Sequence, residues 1–166
     1  EENIVVWEPF VMQTLRKNPK AKVLADSSKI KGEIIDMIVI GNDSLSKPGG
    51  EAFACCLIDA YYLVNELLTA PATREQTLVG IGQKFSSLNA ADMEAVTTRC
   101  QFYGTPSEGL QVFSEANIKT NMEKVVDFSV RRNIVSSKPT YGVKQAGVRL
   151  NFDPKYIETV QASRKK

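Results

Sequence analysis

Apolar and polar positions along the chain fall into blocks, and the first blocks form a compact unit. Residues 4–7 (Ile-Val-Val-Trp) are a short apolar run. Glu8-Pro9 follows, and Pro9 suits the first position of a helix, where a missing N–H costs nothing. Phe10, Met12 and Leu15 supply that helix with apolar contacts before Asn18-Pro19 ends it. Residues 22–25 (Lys-Val-Leu-Ala) return as a second apolar run and stop in Asp26-Ser27-Ser28. The pattern predicts strand, helix, strand, with a connection long enough for a right-handed crossover between parallel neighbours. A chain that opens on such a unit reads as cut into the middle of a larger α/β fold.

Residues 34–40 (Ile-Ile-Asp-Met-Ile-Val-Ile) are almost continuously apolar, and their β-branched residues, with Gly41-Asn42 after them, predict a buried strand. Asp36 interrupts the run. A carboxylate in a buried strand is costly unless paired or hydrogen-bonded, so it marks a polar network, a hinge or a ligand contact. Residues 48–68 predict a long helix, apolar on most sides, of the kind that is covered on several faces. Thr73 with Gln76, Thr105 with Glu108 and Thr120 with Glu123 have capping-box spacing, and Asn89 and Asp153 read as further N-caps. Residues 136–147 read as a loop of small residues and 148–152 as a late strand. No internal repeat or low-complexity segment is visible.

Composition narrows the chemistry. The chain has 166 residues, 43% hydrophobic, enough for one domain with a real core. Its 21 basic and 19 acidic residues leave a net charge of +2. The basic residues are scattered, which reads as a solvated surface and not as a nucleic-acid footprint. Histidine is absent. That removes the commonest general base, the commonest metal ligand and the usual partner of a Ser or Cys nucleophile. The three cysteines offer no CxxC and no readable disulfide framework, so zinc is not expected and the thiols read as buried and inert. The longest apolar run, residues 52–68, is interrupted by Asp59, Asn65 and Glu66 and reads as too polar for lipid. No signal peptide is visible, which does not by itself place the protein in the cytoplasm.

Several residues admit both a functional and a structural reading. Trp7 and Glu8 sit where a strand meets a helix N-terminus, the position that lines ligand crevices in open α/β sheets. There Trp7 offers a flat face and Glu8 a carboxylate for a donor-rich or cationic solute; equally, Trp7 is core and Glu8 caps the helix. Ser27 and Ser28, beside Asp26, either hydrogen-bond a ligand or satisfy turn backbone. Tyr103, in Phe102-Tyr103-Gly104-Thr105-Pro106, either reaches a site with its hydroxyl or packs at a helix junction. Gly80 and Gly82 lack the flanking signature of a phosphate loop. No catalytic residues are assigned and no cofactor is expected.

In order and spacing, Val5-Val6-Trp7-Glu8-Pro9-Phe10, Val23-Leu24-Ala25-Asp26-Ser27-Ser28, Gly32-Glu33-Ile34-Ile35-Asp36, residues 98–106 and Met122-Glu123-Lys124-Val125-Val126-Asp127-Phe128 resemble a known family. They are similar to ABC-transporter solute-binding proteins of the nitrate/sulfonate/taurine type, most of all to the group encoded beside urea carboxylase. The resemblance implies part of a type II periplasmic-binding-protein-like clamshell of the α/β class, its C-terminal half. Residues 1–32 would be the tail of the second lobe. Residues 33–166 would be a hinge strand and the helix-rich C-terminal part of the first lobe. It further implies a periplasmic or extracytoplasmic location, non-catalytic capture of a small polar solute at Trp7, Glu8, Ser27, Ser28, Asp36 and Tyr103, and delivery to an ABC permease. Glu8, Asp36 and the Trp7 face suit a urea-like or guanidinium-like solute; anions are typical of the wider superfamily. The exposed sheet edges of a half-fold would invite homodimerisation. Two competing readings are a sensory or regulatory ligand-binding module and an enzyme like the thiamine-pyrimidine synthases. The latter depend on a histidine and a cysteine-rich motif that this chain lacks.

Overall fold

The computed structural model describes residues 3–30, 34–85 and 88–165. The domain boundary expected at residue 32 lies outside them. The chain forms two compact units, one built from Glu1–Asp36 and Glu66–Phe102, the other from Met37–Asn65 and Tyr103–Lys166.

The first unit holds helix α1 (Phe10–Lys17), a single 3-10 turn (Ser27–Ile30), and two helices that follow one another closely, α4 (Pro71–Phe85) and α5 (Ala90–Thr97). The second begins with the one-turn helix α2 (Asn42–Leu45) and most of the long helix α3 (Gly50–Thr69), whose last turn belongs to the first unit. It continues with α6 (Pro106–Val112), α7 (Glu115–Arg131), strands β1 (Tyr141–Val143) and β2 (Leu150–Phe152), and α8 (Lys155–Arg164). The strands pair in parallel, Tyr141 opposite Leu150 and Val143 opposite Phe152. Strands this short need a return of only about 10 Å, which six residues span easily. Lys144 (φ 51°) and Gly147 (φ 76°) make the two reversals in left-handed conformation. The α/β class therefore holds in a coarse form, as helices with one small parallel sheet.

Three predicted strands are not formed. Residues 4–7, 22–25 and 34–40 join no ladder, and most of their side chains are exposed, Val5 and Leu24 almost wholly so. An apolar β-branched run specifies extended backbone but does not supply the neighbour that would close its hydrogen bonds. The predicted loop at 136–147 contains β1, and the late strand is confined to Leu150–Phe152.

Two of the predicted helix starts are confirmed. Asn89 Oδ1 accepts from the Asp92 N–H at 2.9 Å, and Thr105 and Glu108 form a full capping box around Pro106. Asp153 accepts from the Lys155 N–H at 2.9 Å, one residue ahead of the assigned cap Pro154. Thr73 and Thr120 instead lie inside α4 and α7. The Thr73 hydroxyl donates back to the carbonyl of Leu67 at 2.7 Å, so it ties α4 to the end of α3 and caps nothing of its own.

The core of the first unit is Met12, Leu68, Leu78, Leu88 and Met93. That of the second is Tyr62, Ile157 and Val160, packed against Cys55, Ile58, Leu110 and Phe113. Gly82 makes the first core possible. A Cβ there would run into the Leu88 carbonyl and lie 2.8 Å from Met93 Cγ, so only glycine lets the chain pass this close to α4. Helix α3 was expected to be covered on several sides, yet one long face of it is open, with Phe53 63% exposed.

Candidate functional site

The turn that starts α1 sets the site. Trp7 contributes its carbonyl to the Phe10 and Val11 N–H groups, which leaves its indole 75% exposed, edge-on to Phe10 with ring centroids 6.4 Å apart. Trp7 is therefore not core. The next side chain turns inward. Glu8 Oε2 accepts from the Met12 N–H at 3.3 Å, so the carboxylate caps the helix as expected. Its other oxygen, Oε1, accepts from Arg99 Nη1 at 2.8 Å. The Glu8 side chain is mostly buried in this pair, while about half of the Arg99 guanidinium faces solvent.

Arg99 is delivered by the turn that ends α5, where the Arg99 and Cys100 N–H groups donate to the Val96 and Thr97 carbonyls. Cys100 sits beside it in the field of two carboxylates. Partial desolvation raises its thiol pKa although the residue is exposed, and the charges of Glu8 and Asp36 push it the same way. Asp36, expected in a buried strand, is exposed and lies outside any strand, and its charge acts on Cys100.

Asp26 closes the cluster. The Ser28 hydroxyl donates to its carboxylate, and the Ser28 N–H does so at 3.0 Å. These bonds hold the Asp26 pKa below the ordinary range, with smaller help from the charges of Lys29 and Arg99. Ser28 thus serves its own turn, and Ser27 opens the 3-10 turn with its side chain exposed. Three of the sequence-predicted elements, Glu8, the Asp26–Ser28 turn and Asp36, converge on Arg99 and Cys100 in one unit. Glu8 pairs with Arg99 there, Asp26 feels the charges of Lys29 and Arg99, and Asp36 acts on Cys100.

Tyr103 belongs to the second unit. It is half-buried, and its backbone hydrogen-bonds the Tyr61 hydroxyl, which also bonds Asn65. Burial raises the Tyr61 pKa, and these two bonds partly offset it. Gly104 lies against the Asn65 side chain at 3.6 Å from the position of an added Cβ. The segment 103–105 therefore packs at a helix junction, the structural alternative of the two readings.

Sequence reasoning missed Arg99. Arg99 pairs with a residue 91 positions away, and no local spacing announces such a contact. Cys56 and Cys100 are exposed and Cys55 is half-buried, so the expectation of three buried thiols does not hold. Among the described residues no group of three or more His, Cys, Asp or Glu side chains could hold a metal. A shallow depression of about 320 Å³ lies elsewhere in the first unit, lined by Pro71, Arg74, Leu78, Ala90 and Glu94. Arg74 donates to Glu94 at 2.6 and 3.0 Å and to the Leu68 carbonyl, which makes it a strut between α4 and α5. Comparison with family models, curated proteins and solved structures found no match to this chain.

Proposed function

We propose that this chain is a solute-binding part of an ABC importer, acting outside the cytoplasm and capturing a small, donor-rich nitrogenous solute for an ABC permease. The observation that carries the reading is the convergence of Glu8, Asp26 and Asp36 on the Arg99–Cys100 turn, next to the exposed Trp7 indole. Glu8 is partly satisfied by Arg99, so Asp36 is the carboxylate most open to a ligand, with Trp7 as a stacking face. A urea-like or guanidinium-like solute fits an acidic excess better than an anion does. The residue order resembling nitrate/sulfonate/taurine-type binding proteins supports the same class, and within it a two-lobed clamshell that closes on its solute.

The test is a thermal-shift titration of the 166-residue chain with guanidinium, urea, nitrate and taurine, kept far below denaturing concentrations. A saturable rise with guanidinium or urea that Asp36→Asn abolishes is the expected result. A rise with nitrate or taurine alone would reverse the charge preference, and no rise with any solute would remove solute capture by this chain.

A further inference from the structure

Within the first unit, helix α1 is held on α5 at both of its ends. Just ahead of α1, Glu8 Oε1 accepts from Arg99 Nη1 at 2.8 Å, and Arg99 lies just past the last turn of α5. In the last turn of α1, Arg16 donates to Asp92 in the first turn of α5. The two helices are therefore antiparallel, and the pairs have opposite polarity: α1 supplies the acid at one end and the base at the other. The spans also match. Arg16 lies eight positions after Glu8 and Arg99 seven after Asp92, about 12 Å and about 10 Å of helix at roughly 1.5 Å per residue. In both pairs the carboxylate is the covered partner, while about half of each guanidinium side chain faces solvent.

Between these two pairs α1 buries one side chain. Met12 sits in the core with Leu68, Leu78, Leu88 and Met93, and every other residue of the helix reaches water in part. Helices α4 and α5 pack closely on each other, and α1 meets them more sparingly. Its flanks give no further anchorage through a sheet, because residues 4–7 and 18–25 join no ladder and are mostly exposed. A helix of eight residues does not persist alone in water, so α1 melts when it leaves the core. Docking and helix formation are thus one event, opposed by few buried apolar contacts, which places α1 at the low-stability end of its unit.

We propose that α1 is a latched strap: it opens from α4 and α5 as one unit without unfolding them, and the Glu8–Arg99 and Arg16–Asp92 pairs set how often. The strap does not depend on the solute-binding reading. Trp7 and Glu8 move with α1, so the candidate site is complete only while the strap is closed. Hydrogen exchange of the full 166-residue chain, followed amide by amide by NMR, tests this. The amides of residues 10–18 should share one protection factor, lower than those of α4 and α5. Raising sodium chloride from about 0.05 M to about 1 M should reduce it about two- to tenfold, because both pairs are partly exposed to screening, and leave α4 and α5 unchanged. Arg99→Gln removes the ion pair at one end and Arg16→Gln that at the other. Each should speed exchange by a similar factor along the whole of α1, since a strap opens whole. Three results would each overturn the proposal: α1 protected as strongly as α4 and α5, protection indifferent to salt, or each substitution acting only on the amides at its own end. The salt comparison needs no substitution, so a variant that fails to fold does not remove the test.

Discussion

The Glu8 carboxylate joins the start of α1 to Arg99, 91 residues further along: one oxygen accepts from Arg99 Nη1 at 2.8 Å, the other from the Met12 N–H at 3.3 Å. One side chain therefore sets both the entry into a helix and the position of the Arg99 guanidinium in the candidate site. Glu8→Ala removes both bonds and should cost about 1–2 kcal/mol, the sum expected for a lost cap and a partly exposed ion pair. Glu8→Gln keeps an acceptor for Met12 and should cost less than half of that. Urea unfolding at neutral pH gives the order directly, and equal losses would mean that the cap contributes nothing.

Two neighbouring glycines in α4 should respond with opposite sign. A Cβ at Gly80 meets nothing within 4 Å. Gly80→Ala should raise stability by about 0.5–1 kcal/mol through helix propensity and a less flexible unfolded chain. Gly82→Ala drives a methyl against the Leu88 carbonyl and Met93, and should cost about 1–3 kcal/mol. Comparing the two midpoints separates propensity from packing, and a stabilised Gly82→Ala would contradict the observed approach of residues 88–93 to the helix.

The first unit should be acid-sensitive. Asp92 is almost fully buried and accepts from Arg16, whose hydrogen bond holds the Asp92 pKa below its ordinary 3.8. Glu94 is lowered in the same way by Arg74. A carboxylate lowered in the folded state contributes stability that is present above its unfolded pKa and is lost as the pH falls through its folded value. The unfolding midpoint should therefore be level from neutral pH to about 5 and fall below about 4. Asp92→Asn should be less stable at neutral pH and lose part of that acid slope. An unchanged slope would mean that other carboxylates set it.

In the second unit, Gly109 lies under the buried Tyr62 ring, where an added Cβ would be 2.6 Å from the phenolic oxygen. Gly109→Ala should destabilise by about 1–3 kcal/mol. The double variant with Tyr62→Phe removes the clashing atom, leaves Tyr62 Cζ at 3.8 Å, and should recover most of the loss. A purely additive result would place the cost in the backbone of α6.

Helices were legible wherever the sequence carried its own end signals. Asn89 and the Thr105–Pro106–Glu108 box act through bonds spanning three residues, so the local sequence suffices to specify them. Thr73 shows the limit. Its spacing to Gln76 matches a capping box, but Pro71 starts the helix earlier, and the hydroxyl finds the Leu67 carbonyl of the preceding helix.

The sequence by itself determined most of the helices, those at α5 and α6 down to their caps, and the presence of polar groups at Glu8, Asp26 and Asp36. Periodicity and capping are local properties, written within a few residues of where they act. Tertiary structure alone decided that the runs at 4–7, 22–25 and 34–40 stand without ladder partners, because a strand's partner is remote in sequence. It alone brought Arg99 to Glu8, since a contact across 91 residues follows from the path of the chain and from no pattern within it. It also decided which side of α3 is covered. The helix is apolar nearly all round, so its sequence names no preferred face, and only Tyr62, Ile157 and Val160 packing on one side leave Phe53, Leu57 and Val64 open on the other.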